Sequence, residues 1–142
     1  MATLQQTVKE IQAIVRQLKA IRSAPIKPPE KAAAFPFAMC YAASGNFKPQ
    51  TVGGGGTMIG LHNIVIEVHV ARKDLPRDYE RAMVYAKLIP NAIHKAHRDG
   101  TFTDMETFGQ IDYVFGPMVY GDIDTIGFEF TMTEVKTSDV VT

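Results

Sequence analysis

Apolar and polar residues alternate along residues 61–71: His62, Ile64, Ile66, Val68 and Val70 share one parity, and Leu61, Asn63, Val65, Glu67 and His69 share the other. A period of two with one apolar side is that of a pleated strand buried on one face. Past Arg72 and Lys73 the period lengthens, and Tyr79, Ala82, Met83, Ala86, Ile89 and Ile93 fall at the three- and four-residue steps of a helix. The core is therefore a sheet covered by helices.

The start of that helix is well marked, with Asp74 as N-cap, Pro76 in the first turn, and Asp78 and Glu80 against the N-terminal dipole. Pro90 predicts either a bend near Leu88 or two helices, the second over residues 91–98, closed by Asp99 and Gly100. Upstream, Leu4, Val8, Ile11, Val15, Leu18 and Ile21 line one stripe of an amphipathic helix over residues 4–22, with Thr3 as its cap. Pro25, Pro28 and Pro29 forbid its continuation and make residues 23–31 a stiff surface connector.

Residues 35–41 form the next strand, with Phe35, Phe37, Met39 and Tyr41 on one face and Ala38 and Cys40 on the other. Pro36 places it at an edge or starts it just after that residue. Residues 42–60 carry Ser44, Gly45, Asn46, Pro49 and the run Gly53, Gly54, Gly55, Gly56, with little to bury, and read as a hairpin with a long mobile tip. Residues 105–115 alternate loosely, the stretch from Gly116-Pro117 to Gly121-Asp122 supplies turn residues, and residues 124–135 alternate cleanly with Ile126, Phe128, Phe130 and Met132 inward. The pattern predicts one α+β domain over residues 1–142, loose from about residue 137. Its sheet is four-stranded and mainly antiparallel, with the N-terminal helix and the kinked central helix on one face. Antiparallel, parallel and crossed pairings all remain open for the strand after the central helix.

The chain has 142 residues, 46% of them apolar, enough to build a core without staples. Its one cysteine, Cys40, makes no intrachain disulfide and suits a reducing compartment. No stretch approaches the ~20 apolar residues of a membrane helix, and the opening residues lack a leader's charged-then-apolar pattern, so a soluble protein made in a cytoplasm is expected. Lysine plus arginine equals aspartate plus glutamate at 15 each, but residues 1–98 hold 14 cations against 6 acids, and residues 99–142 hold 1 against 9. Either folding mixes these charges, or the molecule has a basic and an acidic side that favour head-to-tail stacking of copies in a ring. Neutral total charge, with no basic cluster interleaved with aromatics, argues against a plain nucleic-acid binder.

No chemistry emerges from the spacing. His94 and His97 can share a helical face and Glu67 and His69 a strand face, but neither pair has a third metal ligand in range, so the histidines read as surface or boundary residues. Cys40 lies in an apolar strand, and no serine sits in a nucleophile elbow. Asp104 with Glu106, and Asp122 with Asp124, read as solvated turn charges. No Lys-Ser or Lys-Thr pair follows the glycine run and a strand comes next, which disfavours a phosphate loop. A loop that orders against a partner, or one with no role, remains. The expectation is a non-enzyme without cofactor or metal.

Phe35-Pro36-Phe37 leading a strand, the glycine-rich hairpin, residues 64–70 running into Arg72-Lys73-Asp74-Leu75-Pro76, and the closing pair from Tyr113 through Tyr120-Gly121 to Phe128-Glu129-Phe130 form a pattern. It resembles the tail terminator, or tail completion, proteins of long-tailed bacteriophages over residues 4 to about 136. The resemblance implies a virion protein of the neck, made in the bacterial host. It would form a hexameric ring on the head-proximal end of the tail tube, stop tube polymerisation and present the surface for head-tail joining. Its partners would be copies of itself, the tail tube protein and a head-completion or connector protein. DNA would pass through the lumen without sequence-specific binding, and no membrane would be involved. Lys48, Gly53, Gly54, Gly55 and Gly56 are the expected loop contacts, and Asp122 and Asp124 the expected lumen or subunit-facing residues. The alternatives are another neck component, such as a head-closure protein, or a small cytoplasmic ligand-binding domain or enzyme. In that last case the site would lie between the sheet and the kinked helix near Pro90.

Overall fold

The alternating stretch becomes the centre of a curled antiparallel sheet, and the periodic stripes become helices laid on one side of it. A computed structural model describes residues 3–25, 34–49 and 56–140. Its elements are α1 (Thr3–Arg16), β1 (Phe37–Pro49), β2 (Thr57–Ala71), α2 (Leu75–Met83), α3 (Tyr85–Arg98), β3 (Met105–Thr107), β4 (Ile111–Tyr120) and β5 (Ile123–Val140). The class is α+β, as the sequence pattern predicts. Across the sheet the order is β1-β2-β5, with β4 beside the first part of β5 and β3 beside a later part. All four strand pairings are antiparallel, which settles the pairing that the pattern left open.

Ile64, Ile66, Val68 and Val70 of β2 and Ile126, Phe128, Phe130 and Met132 of β5 are buried against Ile11 and Val15 of α1 and Ile89 and Ile93 of α3. Burying a side chain of this size stabilises a fold by roughly 1.5–3 kcal/mol, so the β2–β5 pair with its helices carries most of the hydrophobic stabilisation. Gln12 is buried on α1, and its amide donates to the Pro25 carbonyl at 2.6 Å. Arg16 Nε donates to the Ala24 carbonyl at 2.9 Å. These two polar anchors tie the connector to the helix, and the apolar stripe gives no hint of them.

Several boundaries differ from expectation, each for an identifiable reason. α1 stops at Arg16, leaving Leu18 and Ile21 in turns after it, and Thr3 is its first residue, whose carbonyl accepts the Thr7 hydroxyl at 3.0 Å. The central helix breaks at Val84, ahead of Leu88, and Pro90 lies inside α3. The carbonyl that Pro90 cannot bond, Ala86, thus falls in the first turn of α3, beside the break. Asp74 occupies the N-cap of α2 but makes no side-chain cap bond. Instead Asp78 reaches back, its Oδ2 accepting the Lys73 and Asp74 amides at 2.6 and 2.8 Å.

Residues 42–49, expected in a loop, continue β1 in register with β2 from Ser44 opposite Asn63 to Pro49 opposite Met58. The stretch expected as a loose tail is strand as far as Val140, with Thr137 opposite Gly60 and Val140 opposite Thr57. In both cases the long central strand supplies backbone partners that outweigh weak local propensity. The strand expected over residues 105–115 is split into β3 and β4, so the sheet has five strands instead of four. β4 runs through Gly116-Pro117, and the turn comes only at Gly121-Asp122. An edge strand tolerates a residue with no N–H to donate.

Both neighbours of β2 are irregular near Asn63. Ala43 is the extra residue on β1, and Thr133 and Glu134 face the same place from β5, where Glu134 takes φ 52. Bulges sharpen the local twist, and from here the β1 side runs out of the core as an arm, every residue from 42 to 49 being exposed.

Candidate functional site

The face of the sheet away from the helices is not bare at the β4–β5 turn. The rings of Phe37 and Tyr120 lie 4.7 Å apart and those of His69 and Tyr120 5.4 Å apart, so chains from β1, β2 and β4 meet across the sheet. Gly127 allows this closure, because a Cβ there would overlap the Val68 carbonyl oxygen. Beneath the rings runs a polar chain. His69 Nδ1 is 2.7 Å from Thr125 Oγ1, His69 Nε2 is 2.8 Å from Glu67 Oε1, and the Tyr41 hydroxyl donates to Glu67 Oε2 at 2.7 Å. Facing a carboxylate, Nε2 carries a proton, so in the neutral ring Nδ1 accepts the Thr125 hydroxyl.

The His69 hydrogen bond, with the Tyr41 bond in support, holds the Glu67 carboxyl below its ordinary range despite partial burial. Burial, and then the bond to Glu67, push Tyr41 upward. A hydroxyl, an imidazole and a carboxylate in line resemble nucleophilic machinery, but Thr125 and His69 are both 0% exposed and no substrate reaches them. The arrangement ties three strands together. Sequence parity correctly puts Glu67 and His69 on one face, but the expectation of a surface or boundary His69 is wrong, because the curl of the sheet covers that face.

His62 is also buried, with Nε2 3.0 Å from Thr137 Oγ1. Its ring lies against the backbones of Gly45 and Gly60, where any side chain would strike it. Burial lowers its pKa from the ordinary 6.5, outweighing a nearby Asp139. The unfolded chain then takes up a proton at higher pH than the folded one. Stability contributed by neutral His62 is thus full above about pH 6.5 and falls as pH drops toward the lower folded value. Urea midpoints measured between pH 7.5 and 5 are expected to decline on the acid side. A His62→Gln variant should flatten part of that decline, and an unchanged slope would remove His62 as the cause.

His94 is exposed and His97 half-buried, within the surface or boundary placement expected, with rings 5.2 and 5.5 Å from that of Phe108. Among the described residues no group of three His, Cys, Asp or Glu side chains is placed to hold a metal ion, and no helix is long and apolar enough to cross a membrane. Cys40 is buried, and burial pushes its thiol up to about 12.

Lys48 is exposed near the end of the arm, and Gly56 is exposed where the chain returns; Gly53, Gly54 and Gly55 lie outside the described residues. Asp122 and Asp124 are exposed at the β4–β5 turn, at the opposite end of the sheet. The two groups are not brought together. Asp124 instead rims a half-open cavity of about 770 Å³, whose other charged walls are Arg22, Arg72, Lys73, Arg81 and Asp78. Phe35, Val70 and Tyr85 give it apolar surface. The cavity flanks the Val84 break, one turn or more ahead of the Pro90 position at which a cleft was expected.

The sheet also has two open sides. Beyond Ala38, which bonds Ser23, the outer edge of β1 is unpaired among the described residues, and so is the outer edge of β4. On β4 Tyr113, Val114 and Val119 are 65%, 70% and 62% exposed. Next to it Tyr79, which meets Phe115 edge-on at 5.0 Å, continues an exposed apolar strip along α2 with Leu75, Met83 and Val84. No protein-family model matches the chain, and neither does any curated protein.

Proposed function

We propose that the chain is a structural protein of a bacteriophage virion that assembles as a ring, in the manner of the tail terminators it resembles in sequence. The ring, with six copies as its expected size, caps the head-proximal end of the tail tube, ends tube growth and offers the docking surface for a head-completion or connector protein. The observation that carries the reading is the pair of unpaired edges, β1 and β4, on opposite sides of one sheet. A monomer with such edges normally blunts them with charge, whereas β4 presents Tyr113, Val114 and Val119. Two different edges meeting make a head-to-tail contact, which closes into a ring when the rotation per copy allows. The arm, with Lys48 exposed near its tip, is then free to reach the tube, and the Asp122–Asp124 turn lies at the other end. Another neck ring, such as a head-closure protein, uses the same features.

The test is the solution mass across a range of concentrations, by light scattering behind a sizing column, with negative-stain images of the largest species and of tail tubes mixed with the protein. Hexamer-sized rings, free or on tube ends, are expected. Val114→Lys, at an exposed edge position, should leave the thermal midpoint within a degree or two and raise the concentration for assembly about tenfold, the effect of losing ~1.4 kcal/mol per contact. A strict monomer that caps no tube would sink the proposal and favour the ligand-binding reading, for which the 770 Å³ cavity is the specific support.

A further inference from the structure

Arg22, Arg72, Lys73 and Arg81 come from three separate segments, the connector, the end of β2 with the turn after it, and α2, yet all four line one cavity. Among the described residues none of their side chains makes a hydrogen bond or an ion pair, although an exposed cation beside an acid would normally find one. Of the two acids among the described wall residues, Asp78 accepts the Lys73 and Asp74 amides, and Asp124 makes no hydrogen bond or ion pair with a described residue. Among the described wall residues, four cations against two acids leave a surplus of two positive charges. Like charges gathered without a direct ion pair repel one another, and the charge of Asp78 offsets this only in part, through its attraction to Arg81, so the folded chain holds here an arrangement that a bound anion would relieve.

We propose that this cavity binds a phosphorylated small molecule with a flat apolar body. A phosphate monoester carries about −1.5 to −2 charges at neutral pH, which matches the surplus, whereas a single carboxylate does not. Arginine forks suit its oxygens, and three of the four cations are arginines. The space, about 770 Å³, lies within the range of small-molecule sites and is short for a folded partner. Phe35, Val70 and Tyr85 supply the apolar surface for the body of the ligand, and Tyr85 is fixed in place by donating its hydroxyl to the Ala20 carbonyl. None of the exposed β4 residues Tyr113, Val114 and Val119 lines the cavity, so binding is read on the chain whether or not rings form.

The experiment is isothermal titration of the full chain, at low salt, with phenyl phosphate, adenosine monophosphate and inorganic phosphate. One saturable site per chain is expected for at least one of the two organic phosphates. Inorganic phosphate should bind tenfold or more weakly, since it leaves the apolar wall empty. An Arg72→Gln/Arg81→Gln double variant, both positions being exposed, should keep its thermal midpoint without ligand and lose tenfold or more in affinity. Lys136→Gln, on a lysine that already pairs with Glu106 outside the cavity, should bind like the parent. Absence of saturable heat from every probe, or undiminished binding by the double variant, would overturn the proposal. Inorganic phosphate binding as tightly as the organic probes would overturn the apolar half of it.

Discussion

Phe128→Ala is expected to lower the free energy of unfolding by about 3–5 kcal/mol, the range for emptying a buried aromatic site. Phe128 is 0% exposed on β5, one strand in from the edge. Its ring lies 4.6 Å from that of Phe115, 4.9 Å from that of Phe130 in a stacked pair, and 5.6 Å from that of Tyr113. Aromatic pairs in such geometries add about 0.5–1.5 kcal/mol each beyond burial. Among the described strands β4 pairs with β5 alone, and it sets Tyr113 and Phe115 against Phe128, so the cavity left by alanine would open beneath the strand that presents the exposed apolar strip. Urea unfolding measures the loss directly. A change under about 1 kcal/mol would mean that β4 and α2 collapse onto the gap, and that the strip is softer than described.

Gly127→Ala tests the other face of the same strand. The added methyl group would meet the Val68 carbonyl oxygen and lie 3.3 Å from the Cα of His69, both backbone of the paired strand. Backbone cannot rotate away as a flexible side chain would, so β2 and β5 must separate locally, where Val68 faces Phe128 and His69 faces Gly127. Overpacking of this kind costs about 1–3 kcal/mol. Loss of the His69–Thr125 bond should accompany it, since that bond spans the same two strands at 2.7 Å. The histidine ring signals in an NMR spectrum would move along with the urea midpoint. Stability equal to the parent's would show that the close approach of the strands is not needed by the fold.

Much of the architecture was legible wherever one periodicity held over a long run. The parity of β2 and the inward set Ile126, Phe128, Phe130 and Met132 follow directly from alternation, because a strand with one buried face admits only one assignment. The stripe of α1 and the start of α2 are equally plain. Legibility failed where long-range partners decide. Ser44, Gly45 and Asn46 look like loop and Lys136 to Asp139 look like tail, yet each is held by β2, whose length sets how far its neighbours can pair. The break at Val84 has no proline or glycine of its own. The buried His69 and Thr125 and the half-buried Tyr120 escape a local reading because the curl of the sheet places Phe37 beside Tyr120, and no local pattern encodes that meeting. The cavity joins Arg22 to Arg72 and Arg81 far along the chain, so the sequence offered only a cleft beside the kinked helix and an excess of cations in residues 1–98.

The irregularities at Asn63 give the molecule a single mechanical axis. β1 and β5 both change register there, while β2 passes from Thr57 to Ala71 without an inserted residue. A load applied at the tip of the arm therefore reaches the body chiefly through one unbroken strand, whose root lies between α1, α3 and the Phe128–Phe130 stack. Its neighbours meet the same load at points where their ladders are already interrupted. Tension would peel the arm in two stages, first the outer ladder and then the body, with Asn63 as the stop between them.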